Sequence, residues 1–218
     1  MANMMELSFL FIDGSFFVIL TSSSLLRLNN LCRSTRMNKD WNTIEFLRHV
    51  RHDWLNKIQL IKGNLDLNKP DRVKEIINDI ITETKQEAKL SNLDIPQFAT
   101  KLLIANWENY YFRLEYEVLA EEKCQGTEDE ILAKWTTLFF QTLNQYSKPF
   151  ADNHLYISIH SMVEGFRLYV DFNGELLDSE SMFQFLHQPF SHLKLENIEM
   201  RKEELLFEVW MDREQTGK

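Results

Sequence analysis

A short stretch of the chain holds Arg48, His49, His52, Asp53, Asn56 and Gln59, residue types that can do chemistry at a spacing a helix would gather. At about 100° per residue, Arg48, His52, Asn56 and Gln59 share one column with Glu45 and Gly63, whereas Asp53 adjoins His52 but points about 100° away. A neutral imidazole is a nucleophile toward phosphorus, and a histidine with the ordinary pKa of about 6.5 is mostly neutral at cell pH. His52 therefore has two readings: a solvated helix histidine, or a phosphoryl acceptor carried on a rigid rod. In the second, Arg48 and Gln59 flank the ring by one and two turns and can meet a partner or a phosphoryl oxygen. Asn56, one turn on, can orient the imidazole. In the first, all three are solvated surface. His49 is the rival acceptor, farther toward the back of the helix. Gly63, about three turns along the column, leaves a docking surface unobstructed although it costs roughly 1 kcal/mol in a helix.

The element that must position these residues is long and amphipathic. Ile44, Leu47, Trp54, Leu55, Ile58, Ile61 and Leu65 recur at three- and four-residue steps, which predicts a helix over about 39–67 with His52 well off the apolar centre. Asn68-Lys69-Pro70 ends it and opens a second helix to about Asn92, because proline suits the first turn. Asp71 and Glu75 lie near its positive N-terminal end, and Val73, Ile76, Ile77, Ile80 and Ile81 form its seam. Two helices joined by a tight turn make an antiparallel hairpin. A lone hairpin cannot bury both seams, but two in a symmetric homodimer make a four-helix bundle. The alternative is a hairpin packed on its own C-terminal domain.

The run His-Asp-Trp-Leu-Asn-Lys-Ile-x-x-Ile-x-Gly-x-Leu-x-Leu, from His52 to Leu67, resembles the phosphoacceptor helix of the sporulation phosphotransferase B family. Relatives of that family are the sensor histidine kinases of the citrate and fumarate type, whose acceptor helix begins His-Asp-Phe. Similar text continues at Lys89-Leu90-Ser91-Asn92-Leu93 and at Leu114-Glu115-Tyr116-Glu117-Val118-Leu119, so the resemblance runs from about Trp41 to the C-terminus. It implies that His52 is the catalytic phosphoacceptor. The ring would take a phosphoryl group from the phosphoaspartate of one response regulator and pass it to the aspartate of a second that controls sporulation initiation. It implies no cofactor of the chain's own, with Mg2+ supplied in the partner regulator's acidic pocket. In the kinase relatives the residue after the histidine is thought to act as a base, which makes Asp53 a supporting residue alongside Arg48, Asn56 and Gln59.

Beyond a hinge at Asn92–Pro96 the pattern becomes α+β. Helices are expected over 97–111, 130–147 and 179–187, and strands over 113–120, 154–160, 166–172 and 205–211 around a turn at Glu164-Gly165. Residues 121–129 read as a polar loop, and Ile131, Leu132, Trp135, Leu138, Phe139, Thr142 and Leu143 as the core face of the helix that follows. Helices against an antiparallel-rich sheet make an α/β sandwich. The order resembles the ATP-binding domain of histidine kinases in degenerate form. Asn144 is the nearest match to the kinase asparagine that contacts nucleotide magnesium. Asp171-Phe172-Asn173-Gly174-Glu175 stands where an Asp-x-Gly-x-Gly box should be, with neither glycine of the box in place. Gly-rich turns expose the backbone N–H groups that cradle phosphates, so ATP binding is not expected. Asp171 then reads as a turn residue and Asn144 as helix surface. The competing functions are an ATP-dependent sensor kinase output module with a divergent pocket, and a non-enzymatic scaffold for regulators.

Composition bounds the rest. The 218 residues suit one domain or two small ones, and 44% hydrophobic residues support a core. A net charge of −9 argues against nucleic acid, which wants clustered Lys and Arg. Cys32 and Cys124 form no zinc-type pair, and the cytoplasm is the simplest compartment. Residues 1–36 read as a disordered leader or an over-extended start, with Met37 the more natural beginning. Phe9–Ile12 and Phe16–Leu20 are apolar, but Asp13-Gly14 splits them. The uncharged run from Gly14 to Leu26 is shorter than the ~20 residues a membrane helix needs, so no stable insertion is expected. A membrane-associating segment is the competing reading there. Residues 37–94 form the expected acceptor and dimerisation domain, and 97–218 the kinase-ATPase-like domain.

Overall fold

Asn42 opens the first helix of the main unit: its side-chain oxygen accepts the amide of Glu45 at 2.9 Å, meeting a donor that a helix start leaves unpaired. The computed structural model describes residues 8–12, 15–19, 42–119, 126–162, 165–190 and 192–212. The chain divides into two units, Met1–Asp40 and Trp41–Lys218. In the first, β1 (Ser8–Ile12) pairs antiparallel with β2 (Ser15–Ile19). The expected leader over 1–36 otherwise lies outside the described residues.

In the second unit, α1 (Thr43–Asp66) and α2 (Pro70–Ser91) form the expected hairpin. Asn68 adopts the left-handed conformation (φ 53°), and the Lys69 amide closes back onto the carbonyl of Asn64 at 2.9 Å. Pro70 sits in the first turn of α2, where its missing N–H leaves no helical bond unmade. Lys57 of α1 pairs with Glu83 of α2. Val73 and Ile76 are buried on α2, but α1 buries no residue at all. Ile44, Leu47, Trp54, Leu55, Ile58 and Leu65 remain exposed along it, joined by Ile77 and Ile81 of α2.

The C-terminal end of α2 leads into the second layer. Gln86 Oε1 accepts the Val118 amide at 2.9 Å, and Lys89 Nζ donates to the Val118 carbonyl at 3.1 Å. These bonds satisfy the outward backbone groups of Val118, the last residue of β3 (Arg113–Val118). Leu90, Leu93 and Ile95 carry the chain into the core. The sheet runs β3-β4-β5-β7-β6, with β4 at His154–Ser161, β5 at Gly165–Asn173, β6 at Lys194–Met200 and β7 at Glu204–Asp212. Only β3 and β4 are parallel among these pairs; the others are antiparallel. Leu155, Ile157 and Ile159, then Phe166, Leu168, Val170 and Phe172, alternate inward, while Tyr156 and Tyr169 turn out. The inward face packs with α3 (Pro96–Ile104), α4 (Gly126–Tyr146) and α5 (Ser179–Leu186) around one core. Trp135 of α4 stacks on Phe139 with centroids 5.1 Å apart, and Phe207 meets Phe139 edge-on at 5.4 Å. The class is therefore α+β, a helical hairpin followed by a two-layer sandwich.

Several boundaries differ from the sequence pattern. The helix expected over 97–111 stops at Ile104 and tightens into a 3-10 turn, Ala105–Trp107. Asn106 causes the break: its side chain bonds both the amide and the carbonyl of Leu114, at 2.9 and 2.8 Å, as a neighbouring strand would. The loop expected over 121–129 is helical from Gly126, and residues 120–125 lie outside the described set. Asp129 is buried rather than solvated. Its carboxylate accepts the amides of Gln97 and Phe98, at 3.0 and 2.8 Å, capping α3 from another helix. Leu138 turns outward, 42% exposed, and Phe140 takes the inner position instead. Strand β6 was not expected at all; Asn197 (φ 53°) and a register shift between Glu196 and Glu199 break its alternation.

Candidate functional site

His52 stands on the third turn of α1 with 70% of its side chain exposed. Its Nδ1 faces back toward the helix. The Asn56 amide nitrogen lies 3.2 Å from it, and Asp53 Oδ1 lies at 3.5 Å. Among the described residues no hydrogen bond to Nε2 is made, and with most of the side chain exposed an incoming group can reach the ring. The two neighbours act on the proton differently. A carboxylate only accepts, so Asp53 favours a proton on Nδ1 and thereby a lone pair on Nε2. With its nitrogen toward the ring the Asn56 amide donates to an unprotonated Nδ1; the Nδ1–H tautomer that Asp53 favours pairs with the same amide turned to present its oxygen.

Asp53 is itself held. Its second oxygen, Oδ2, accepts the indole N–H of Trp107 at 2.7 Å, a contact spanning 54 residues of sequence. The indole stacks on His49, with ring centroids 5.5 Å apart and planes 24° from parallel, and meets Phe46 edge-on at 5.3 Å. Phe46, His49 and Asp53 thus form the face of α1 that receives the 3-10 turn. The exposed apolar seam lies about a third of a turn away on another face. His49, the rival acceptor, is half-buried with the indole against its ring.

The structure brings together His52, Asp53 and Asn56. Arg48 and Gln59 share the exposed column, but among the described residues neither bonds to the imidazole. Trp107 was not singled out from the sequence. Its only signal was an aromatic residue near the end of a segment that read as helix. Gly63 lies in open space, with nothing within 4 Å of where a Cβ would stand. Gly63→Ala is therefore expected to stabilise the fold by about 0.5–1 kcal/mol, read as a higher urea midpoint. A fall in regulator binding alongside that gain would mark this face as the docking surface.

The turn after β5, where a nucleotide cradle would stand, has its donors already engaged. The Gly174 amide donates to the Glu203 carbonyl at 2.9 Å, and the Glu175 amide to Asn153 Oδ1 at 3.0 Å. Asn153 is buried, and its Nδ2 also donates to the carbonyls of Tyr111 and Lys148 at 2.7 and 2.9 Å. A Cβ on Gly174 would stand 2.3 Å from Asn153 Oδ1, so this glycine makes room for a side chain of its own protein. Asn144 is not helix surface; it is buried and accepts the Tyr111 amide at 2.6 Å. Asp171 is not a turn residue either. It sits within β5 between Tyr156 and Leu206, and burial pushes its carboxyl above the usual range. These residues do not fit a triphosphate. Asn153→Ala is expected to cost about 2 kcal/mol or more in urea unfolding, because two carbonyls and one amide lose their partner.

Among the described residues no group of three or more His, Cys, Asp or Glu could hold a metal ion. None of the described helices is long and apolar enough to cross a membrane.

Residues 94–212 match the family described as "Sporulation initiation phospho-transferase B, C-terminal", and residues 33–93 match "Sensor_kinase_SpoOB-type, alpha-helical domain". The chain belongs to the sporulation initiation phosphotransferase B family. Within that family it is 38% identical over 171 residues to sporulation initiation phosphotransferase B of Bacillus subtilis (strain 168), spanning 78% of this chain and 89% of that protein. Family membership makes the chain a phosphotransferase of sporulation. Solved structures similar to it include the Acinetobacter baumannii histidine kinase AdeS, at 12% identity and a TM-score of 0.35, covering 74% of this chain and 97% of that one. A bacterial phosphotransferase solved at 1.7 Å is also 12% identical, with a TM-score of 0.35, covering 88% of this chain and 98% of that one.

Proposed function

We propose that the chain is a phosphorelay phosphotransferase that carries the phosphoryl group on His52 between two response regulators. The observation that supports this best is the imidazole itself, 70% exposed on α1 with Asp53 and Asn56 beside its Nδ1. A phosphoaspartate of the donor regulator docks against the exposed column of α1. The Nε2 lone pair attacks phosphorus in line, the N–P bond forms, and the P–O bond of the acyl phosphate breaks. The departing aspartate keeps the electron pair as a carboxylate. The ring retains its proton on Nδ1, and the positive charge that develops there is offset by the Asp53 carboxylate. In the second transfer the acceptor regulator's aspartate attacks the same phosphorus and the imidazole leaves unchanged. Positioning and charge stabilisation supply the catalysis, and Mg2+ belongs to the regulators' acidic pockets.

The same reading makes the protein a cytoplasmic homodimer. The uncovered seam of α1 and α2 fits a second copy of the hairpin in a four-helix bundle, with the two His52 side chains directed outward. Autonomous kinase activity finds no support at the turn after β5, whose amides are already bonded.

Incubation with a labelled phospho-regulator tests the proposal. The expected product is an acid-labile, base-stable phosphoryl group on this chain, located by mass spectrometry to His52 and not His49. Stable regulator binding with no label on the chain would make it a scaffold instead.

A further inference from the structure

The family assignment and the acceptor histidine leave one contact without a role: the indole of Trp107 on Asp53. We propose that Trp107 is a positioning residue for phosphoryl transfer, clamping the Asp53 carboxylate so that the proton of His52 stays on Nδ1 and Nε2 is the nucleophile. The inference rests on the reading of His52 as phosphoacceptor and goes beyond it by giving the C-terminal domain a part in the chemistry.

A helix alone does not aim Asp53 at its neighbour. Adjacent side chains diverge by about 100°, and a free aspartate at this position has several rotamers open to it. Here its two oxygens have separate tasks: Oδ2 takes the Trp107 N–H at 2.7 Å and Oδ1 faces His52 Nδ1 at 3.5 Å. The indole is fixed in turn by the ring of His49 at 5.5 Å and that of Phe46 at 5.3 Å. Its backbone belongs to the 3-10 turn that Asn106 ties to β3. The imidazole is thereby oriented, through Asp53, by an element of the sandwich rather than of the hairpin. Partners of this kind, which hold the second nitrogen of a working histidine, typically change its performance by 10–100-fold in metal sites, and a similar scale applies to a nucleophile.

Trp107→Phe keeps the stacking rings and removes only the N–H. In protein carrying 15N-histidine, NMR is expected to show the Nδ1–H population of His52 falling in this variant. The maximal rate of uptake from a phospho-regulator is expected to fall on the order of tenfold, with the regulator concentration at half-saturation unchanged. In an Asp53→Asn background the same substitution should have no further effect, because the indole acts through that carboxylate. A wild-type tautomer and rate in Trp107→Phe would overturn the clamp, as would losses that simply add in the double variant. If the Phe variant does not fold, Asp53→Asn alone decides, since an unchanged tautomer there also overturns it. His52→Ala separates the two ideas. Label on that variant defeats the acceptor itself, whereas an unlabelled His52→Ala beside a normal Trp107→Phe defeats only the clamp.

Discussion

Replacing His52 with Gln is expected to lower phosphoryl transfer from donor to acceptor regulator by at least about 10³-fold, while the unfolding midpoint barely moves. The size of the loss follows from the step: His52 is the only imidazole on the exposed column of α1, and the one carboxylate there, Glu45, lies two turns away at the start of the helix. Arg48 and Gln59 are not nucleophiles at neutral pH, and the ring of His49 lies against an indole. The stability forecast follows from exposure. A side chain 70% open to solvent loses little on replacement, within about 0.5 kcal/mol. Gln also retains a polar end for Asn56. Transfer measured with two purified regulators and a trace of this protein gives the rate, and circular dichroism against urea gives the midpoint. Transfer at a tenth of the wild-type rate or more would show that the phosphoryl group does not travel through this ring.

Ile58→Glu is expected to raise the dissociation constant of the proposed homodimer by about 10³-fold or more, leaving a monomer at micromolar concentration. Ile58 is 55% exposed in the single chain, flanked on the same stripe by Leu47, Trp54, Leu55 and Leu65. A glutamate there costs the isolated hairpin little. In a bundle, two carboxylates would enter an apolar seam without partners, at several kcal/mol, and each 1.4 kcal/mol is a factor of ten. Analytical ultracentrifugation of both proteins decides it. A monomeric wild type, or a variant as dimeric as the wild type, would remove this seam from the interface.

The hairpin was legible in the sequence because every local signal agreed. The apolar step of three and four and the Asn68-Lys69-Pro70 break point to two helices and a tight turn, while the Asn42 cap, which starts the first helix at Thr43 rather than near residue 39, went unread. The inner strands were legible for the same reason, since β5 and β7 alternate without a break. What escaped depended on partners distant along the chain. Asn106 ends a helix by bonding a strand eight residues on, and Asp129 caps a helix 31 residues before it. At the candidate site, His52 and Asn56 were found because they share a helical column. Trp107 was not, because its meaning comes only from where the sandwich sets it against α1. Strand β6 was hidden by its bulge and by the charged residues an edge strand carries outward.

The bonds that Gln86 and Lys89 make to Val118 have a consequence for any attempt to work with the sandwich alone. They cover one end of the sheet's rim: cutting the chain at the hinge would leave the Val118 amide and carbonyl open to strands of other molecules, while Leu114 keeps its bonds to Asn106. The separated C-terminal half is expected to self-associate at that end of β3 more readily than the whole chain does.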